Sequence, residues 1–296
     1  MDRLAAIRSR VSANSFLEIL WVVGGARSTV RITCRGGDLP DLAADLETLG
    51  LASVAWRDTI YPSAVAGLGG YAYTAAVSPA EGRADGRRLV FVSRSLRRAE
   101  EARAAQGDRD RLALGRRLGY PLCCNEHFNR REAEFVTGFA PCFEATAGPH
   151  PYLSNPLLDP FGRMAVSHFP CRPDCAATLR LAADHQAALA RLDPSLAAAN
   201  ARHLCSYVLW RPDLGVLYGT PLQTASGAIS IATANASAGW RALGELGQMT
   251  YVVASGAATL PDGRRLEGVH GIDHTGGARP DTCVPAGPVL QLAWPT

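Results

Sequence analysis

Four of the chain's eight cysteines fall in two short segments. The first reads Leu118-Gly119-Tyr120-Pro121-Leu122-Cys123-Cys124-Asn125-Glu126-His127-Phe128, and the second Ser167-His168-Phe169-Pro170-Cys171-Arg172-Pro173-Asp174-Cys175. Thiolates are the donors that soft metals and iron–sulfur clusters select. We therefore expect one metal or cluster site with Cys123, Cys124, Cys171 and Cys175 as ligands, and Cys142 as a possible replacement for one of them. Cys171 and Cys175 are four residues apart, which on a helix places both on one face. Neighbouring residues such as Cys123 and Cys124 point in different directions, so one is expected to ligate while the other packs or serves a second iron. No C-x-x-C pair occurs, so the common zinc spacings do not match, and the bacterial ferredoxin run is absent. The irregular spacing favours an iron–sulfur cluster, 4Fe-4S first, with zinc as the alternative. Ligation by three cysteines would leave one iron open to substrate, as catalytic metal sites do.

Titratable groups adjoin both segments. His168 precedes Cys171, and Glu126 and His127 follow Cys124. A proton donor must lie within hydrogen-bond reach of the reacting atom, so these three are the expected catalytic residues, His168 first. Arg116, Arg117, Arg130, Arg131 and Arg172 bracket the cysteines and suit a carboxylate or phosphate, although solvated helix faces explain each one singly. A weaker group, His270, Asp273, His274 and Cys283, lies among glycines and reads as a polar turn between strands before it reads as a metal site.

Some chemistry is excluded. All 30 basic residues are arginine, so no lysine exists to form a Schiff base or to complete a P-loop. No G-x-S-x-G elbow and no H-E-x-x-H helix occurs. The net charge of +3 carries no nucleic-acid or membrane-surface signature. Glu18 interrupts the N-terminal apolar run and no Ala-x-Ala pattern follows it, which argues against a signal peptide. No stretch approaches the roughly 18 apolar residues of a membrane span. A reducing cytoplasm and free or metal-bound thiols are expected.

The elements that must position the cysteines follow from periodicity and from turn residues. Gly119 suits a helix end and Pro121 the start of the next helix, running to about Val136; Pro173 suits the start of the alanine-rich helix that ends near Ala190. Upstream, residues 2–11 read as an amphipathic helix, and Phe16–Val23 with Thr29–Cys34 read as a hairpin around Gly24-Gly25. A helix over Leu42–Leu49 and strands at Leu51–Trp56, Tyr71–Val77 and Leu89–Val92 complete a mixed α/β lobe over 1–93. A helical, cysteine-rich segment follows over 94–205. It includes a proline-rich loop over 138–162 that is apolar enough to pack over a site. Strands dominate 206–296, among them Tyr207–Trp210, Gly215–Tyr218, Ala228–Ala232, Thr250–Ala254 and Val289–Trp294. The expected class is α+β.

The Leu-Gly-Tyr-Pro-x-Cys-Cys stretch with its proline-flanked second cysteine pair resembles a group of uncharacterised prokaryotic proteins that share this signature, over residues 88–190. The resemblance implies that the cysteines act as a unit, and it implies no activity. The function that this reading supports is a cytoplasmic, bacterial iron–sulfur enzyme. It would act on a small molecule or peptide-derived substrate, in specialised or sulfur metabolism, by redox or lyase-type chemistry. Neither nucleic acid nor membrane is an expected partner. The alternatives are a non-catalytic zinc-stabilised protein and a metal-free thiol-redox protein.

Overall fold

The computed structural model describes residues 3–62, 73–74, 86–131, 150–158, 161–211, 214–223, 229–236, 238–241, 243, 249–252, 257–260 and 262–274. Within these the fold is α+β. Cys142, Cys283, most of the proline-rich loop and the strand expected at Val289–Trp294 lie outside the described residues.

Helices α1 (Arg3–Arg10) and α2 (Ala13–Val23) lead into strand β1 (Thr29–Arg35), helix α3 (Leu39–Thr48) and strands β2 (Ala52–Pro62), β3 (Tyr73–Thr74) and β4 (Arg87–Ser93). The strands form one antiparallel sheet in the order β1-β4-β2-β3. Strand alternation gives it two apolar faces. Val30, Ile32, Val90 and Val92 face α2 and α3, while Phe91 and Val54 face helices α4 (Leu96–Gly107) and α5 (Arg111–Arg117).

The hairpin expected at Phe16–Val23 is instead helix α2. Ser12 caps it, accepting a hydrogen bond from the Ser15 N–H at 3.3 Å. Phe16, Leu17, Ile19, Leu20, Trp21 and Val22 are all buried. A helix enclosed on every side has no polar face, so its sequence lacks the 3.6-residue period and reads like a buried strand.

Helix α6 (Leu122–Arg130) carries the first cysteine pair, and α7 (Ala176–Leu192) and α8 (Pro194–Leu204) follow the second. Asp193 caps α8 through the Leu196 N–H at 2.9 Å. Helix α7 closes on the end of α2: a methyl group on Gly24 would meet Ala188 Cβ at 2.7 Å, and Arg191 donates to the Gly24 carbonyl at 3.1 Å. Met164, Leu189, Leu196 and Ala197 thus join the core that surrounds α2.

The remaining chain builds a seven-stranded antiparallel sheet. Strands β5 (Tyr207–Arg211), β6 (Gly215–Gln223), β7 (Ile229–Ala236), β8 (Met249–Val252), β9 (Ala257–Thr259) and β10 (Arg265–Glu267) run as a meander, with the short helix α9 (Ala238–Arg241) after β7. Strand β11 (His270–Asp273) returns to pair with β5. One face, with Val208, Trp210, Val216 and Tyr218, packs on Leu157, Leu158 and Val166. The other buries Leu209, Leu217, Ile231 and Trp240. His270–Asp273, read above as a glycine turn, is a strand because its backbone groups complete the β5 ladder. No described helix is long and apolar enough to cross a membrane.

Candidate metal centre

The first cysteine pair is placed by two backbone devices. Helix α5 ends at Gly119, whose φ of 74° lies in the left-handed region that a side chain disfavours. The Gly119 and Tyr120 N–H groups close that end on the Arg116 and Gly115 carbonyls at 3.0 and 2.8 Å. The Pro121 carbonyl then accepts from the Cys124 and Asn125 N–H groups at 3.0 and 2.9 Å, which starts α6. Asn125 locks α6 to α5: its amide donates to the Leu112 carbonyl at 2.8 Å, and it occupies the space where a Gly115 side chain would stand.

The second pair lies on a turn rather than on a helical face. The Cys175 N–H donates to the Arg172 carbonyl at 3.1 Å, and Cys175 is the cap of α7, which begins at Ala176. Pro173 therefore sits in this turn, ahead of the helix and not at its first position. The turn does what one helical turn was expected to do and brings both sulfurs to the same side.

Cys123, Cys124, Cys171 and Cys175 converge with all four sulfurs within 4.8 Å of one another. The Cys124–Cys175, Cys123–Cys175 and Cys123–Cys124 separations are 3.6, 3.7 and 3.9 Å. Both adjacent cysteines bring their sulfurs to this group. This is possible because the first turn of a helix leaves two neighbouring side chains free to straddle one point beyond its end. Cys124 and Cys175 are buried, Cys171 is half-buried and Cys123 is exposed. The Cys171 N–H donates to the Cys124 sulfur at 3.4 Å, and the Thr178 hydroxyl lies 3.2 Å from that sulfur.

These four donors could hold a metal ion, and their acidities show why one fits. Burial pushes the Cys124 thiol strongly up, and burial together with the Cys175 sulfur raises Cys171 to about 11. Burial also opposes ionisation of Cys175, but the Thr178 N–H and hydroxyl and the neighbouring thiols bring it down to about 6. Burial thus holds Cys124 and Cys171 back from ionising while Cys175 is drawn toward the thiolate. A dication offsets the repulsion among four thiolates and lets the remaining sulfurs ionise.

The expected acid–base residues separate. His168 reaches the cluster through one atom, its Nε2 standing 3.0 Å from the Thr178 hydroxyl oxygen. Burial, with Arg27 and His185 adding to it, lowers His168 to about 3. Glu126 is exposed and His127 is half-buried on α6. Arg172 pairs with Asp174 at 3.0 Å, and Arg117 with Glu101 at 2.8 Å. Of the second sequence group, Asp273 and His274 lie against His150 from the proline-rich segment, and Cys283 lies outside the described residues. The His150 N–H donates to the Asp273 carbonyl at 2.6 Å, and the His150 and His274 rings are 5.8 Å apart. Cys205 departs from the expectation of free or metal-bound thiols, for it is disulfide-bonded.

Thr178, Tyr120, Arg27, Glu18 and His185 were not singled out by sequence. The one available signal was Glu18, a lone charge inside the run Phe16–Val23. The remaining four are ordinary until the fold brings α2, α6 and α7 together.

No protein-family model, no curated protein and no solved structure matches this chain.

Proposed function

We propose that this chain is a metal-binding protein whose four thiolates hold one ion in tetrahedral coordination, with zinc as the ion that the donor set fits best. The observation that carries this is the sulfur spacing of 3.6, 3.7 and 3.9 Å. Four sulfurs at a zinc–sulfur distance of about 2.3 Å form a tetrahedron with edges of about 3.8 Å. In a 4Fe-4S cluster each thiolate binds its own iron, which pushes the sulfurs clearly further apart. The spacing therefore supports the zinc alternative over the iron–sulfur cluster expected from sequence. The ion ties the start of α6 to the start of α7, two segments 47 residues or more apart in the chain, and so stabilises the junction of the central helices. Free thiolate ligands suit a cytoplasmic location, whereas the Cys205 disulfide suits an oxidising one.

A catalytic reading keeps one supporting observation: Cys123 is exposed, so one corner of the centre faces solvent. In that reading a small-molecule substrate approaches this corner and His168, Glu126 or His127 handles its proton. Burial weighs against His168 as the acid, because an imidazole lowered to about 3 carries no proton to give at neutral pH.

Elemental analysis and X-ray absorption on purified, anaerobically handled protein test the proposal. We expect one zinc per chain, about four sulfur neighbours near 2.3 Å and no metal–metal scattering. Cys171→Ala and Cys175→Ala should each lose the metal, whereas Cys34→Ala, buried on β1 away from the centre, should keep it. Brown protein with iron–iron scattering would replace this reading with the cluster.

A further inference from the structure

A cavity of about 250 Å³ opens on the surface where the start of β1 meets helices α4 and α5. Ser28, Thr29, Arg98, Glu101, Arg116 and Arg117 line it. Three arginines and one carboxylate give the lining a formal charge of +2, against +3 for the whole chain. Cations gathered around one hollow focus a positive field into it and draw an anion there.

Three elements hold these side chains in place. Thr29 opens β1 opposite Ser93 of β4. Strand alternation puts it on the same face as Arg31, which donates to the Gln106 side chain of α4 at 2.7 Å. Ser28 is fixed just ahead of it, its carbonyl accepting from the Ser93 hydroxyl at 2.7 Å. Arg98 and Glu101 are three residues apart on α4 and so are neighbours on one helix face. Arg116 and Arg117 end α5, which packs on α4 through Leu114 and Ala102. Glu101 braces the junction, its two oxygens taking Arg97 at 3.0 Å and Arg117 at 2.8 Å. The single carboxylate is thereby used. Arg98 and Arg116 have no carboxylate partner among the described residues, and both are exposed. Carbonyls at the end of α5 would repel an anion, but those of Leu114, Gly115 and Arg116 accept from the Leu118, Tyr120 and Gly119 N–H groups at 2.9, 2.8 and 3.0 Å.

Size and chemistry narrow the ligand. The volume is that of about eight waters at roughly 30 Å³ each, and it falls below the roughly 300–1,000 Å³ of pockets for drug-sized molecules. No apolar side chain lines the cavity, so it offers no surface for an aromatic ring or an alkyl chain. A carboxylate has two oxygens in one plane and a single charge. A phosphate group presents three terminal oxygens in a tetrahedral array and carries about two charges at neutral pH. That matches a net lining charge of +2 and guanidinium forks that approach from two helices. We propose that Arg98, Arg116 and Arg117, braced by Glu101, form with Ser28 and Thr29 a site for a phosphate group, borne by a small polar molecule or taken as the free ion. The site shares no residue with the metal centre and does not rest on the zinc reading.

Calorimetric titration of the full-length, metal-loaded protein at constant ionic strength tests this, with glucose 6-phosphate, inorganic phosphate, malonate and glucose as probes. We expect saturable one-to-one binding of glucose 6-phosphate and none of glucose. Tighter binding of glucose 6-phosphate than of inorganic phosphate assigns the ester, and the reverse order assigns the free ion. Arg98→Gln and Arg116→Gln change exposed side chains, so both variants should keep the wild-type melting temperature. Each should weaken the phosphate probe by about tenfold or more. Arg265→Gln removes the same charge from β10 of the other sheet, where Arg265 pairs with Glu267 at 2.6 Å, and should leave the affinity unchanged. Equal weakening by Arg265→Gln and Arg98→Gln would reduce the binding to general charge attraction and overturn the proposal. Malonate bound as tightly as either phosphate probe, or no saturable binding of either phosphate probe at millimolar concentration, would overturn it as well.

Discussion

Replacing Thr178 with valine would remove the hydroxyl that bridges the Cys124 sulfur and the His168 ring. Thr178 is fully buried, with its oxygen 3.2 Å from the Cys124 sulfur and 3.0 Å from His168 Nε2. Valine fills nearly the same volume, so the change is chiefly the loss of two hydrogen bonds and not a cavity. Losing the bond to the His168 ring leaves both of its nitrogens without partners in the interior, at a cost of about 1–3 kcal/mol. Losing the donor to a metal-bound thiolate removes a charge-assisted bond, and changes of this kind cost about 10- to 100-fold in metal affinity. The metal-loaded variant should therefore be less stable by about 2–4 kcal/mol in urea unfolding, the two losses acting together. Competition against a zinc chelator should show the affinity loss directly. Thr178→Ser, which keeps the hydroxyl, should retain most of the affinity. The metal-free proteins should differ less, because the sulfur–hydroxyl bond is then not assisted by charge. A Thr178→Val variant whose zinc affinity falls by less than about threefold and matches Thr178→Ser would refute the linkage.

Two further predictions concern the scaffold. Burial raises Glu18 from 4.5 to about 7, against the opposing pull of Arg27, Ser167 and Arg31. A carboxyl whose folded value lies above its unfolded one contributes stability that is complete below 4.5 and is lost as pH rises through 7. Glu18→Gln cannot ionise, so its stability relative to wild type should improve by about 3 kcal/mol between those limits; a stability difference that stays flat with pH would refute the buried-acid assignment. Gly115→Ala would drive a methyl group into Asn125, displace α6 from α5 and cost about 1–3 kcal/mol. Because α6 carries Cys123 and Cys124, zinc affinity should fall with it, and an unchanged chelator titration would show that the centre does not depend on this contact.

The sequence by itself picked out the four cysteines that the fold brings together. Cys123, Cys124, Cys171 and Cys175 could be picked out because glycine and proline mark backbone geometry locally, and Gly119 and Pro121 close one helix and open the next as their chemistry requires. The α+β class and most strand and helix positions were legible for the same reason, since period and turn residues are local signals. What the four cysteines hold was not legible, because spacing along a chain is silent about distance in space. Only the fold brings the four sulfurs within 4.8 Å of one another, with those of Cys123, Cys124 and Cys175 3.6–3.9 Å apart. Helix α2 was misread because a segment buried on every side loses the period that identifies a helix, and its burial is a property of the sheet and of α7 packed around it. Thr178, Arg27 and His185 matter through neighbours contributed by distant parts of the chain. Their roles are set by hydrogen bonds that exist only once α2, α6 and α7 have met, and tertiary structure alone decides those.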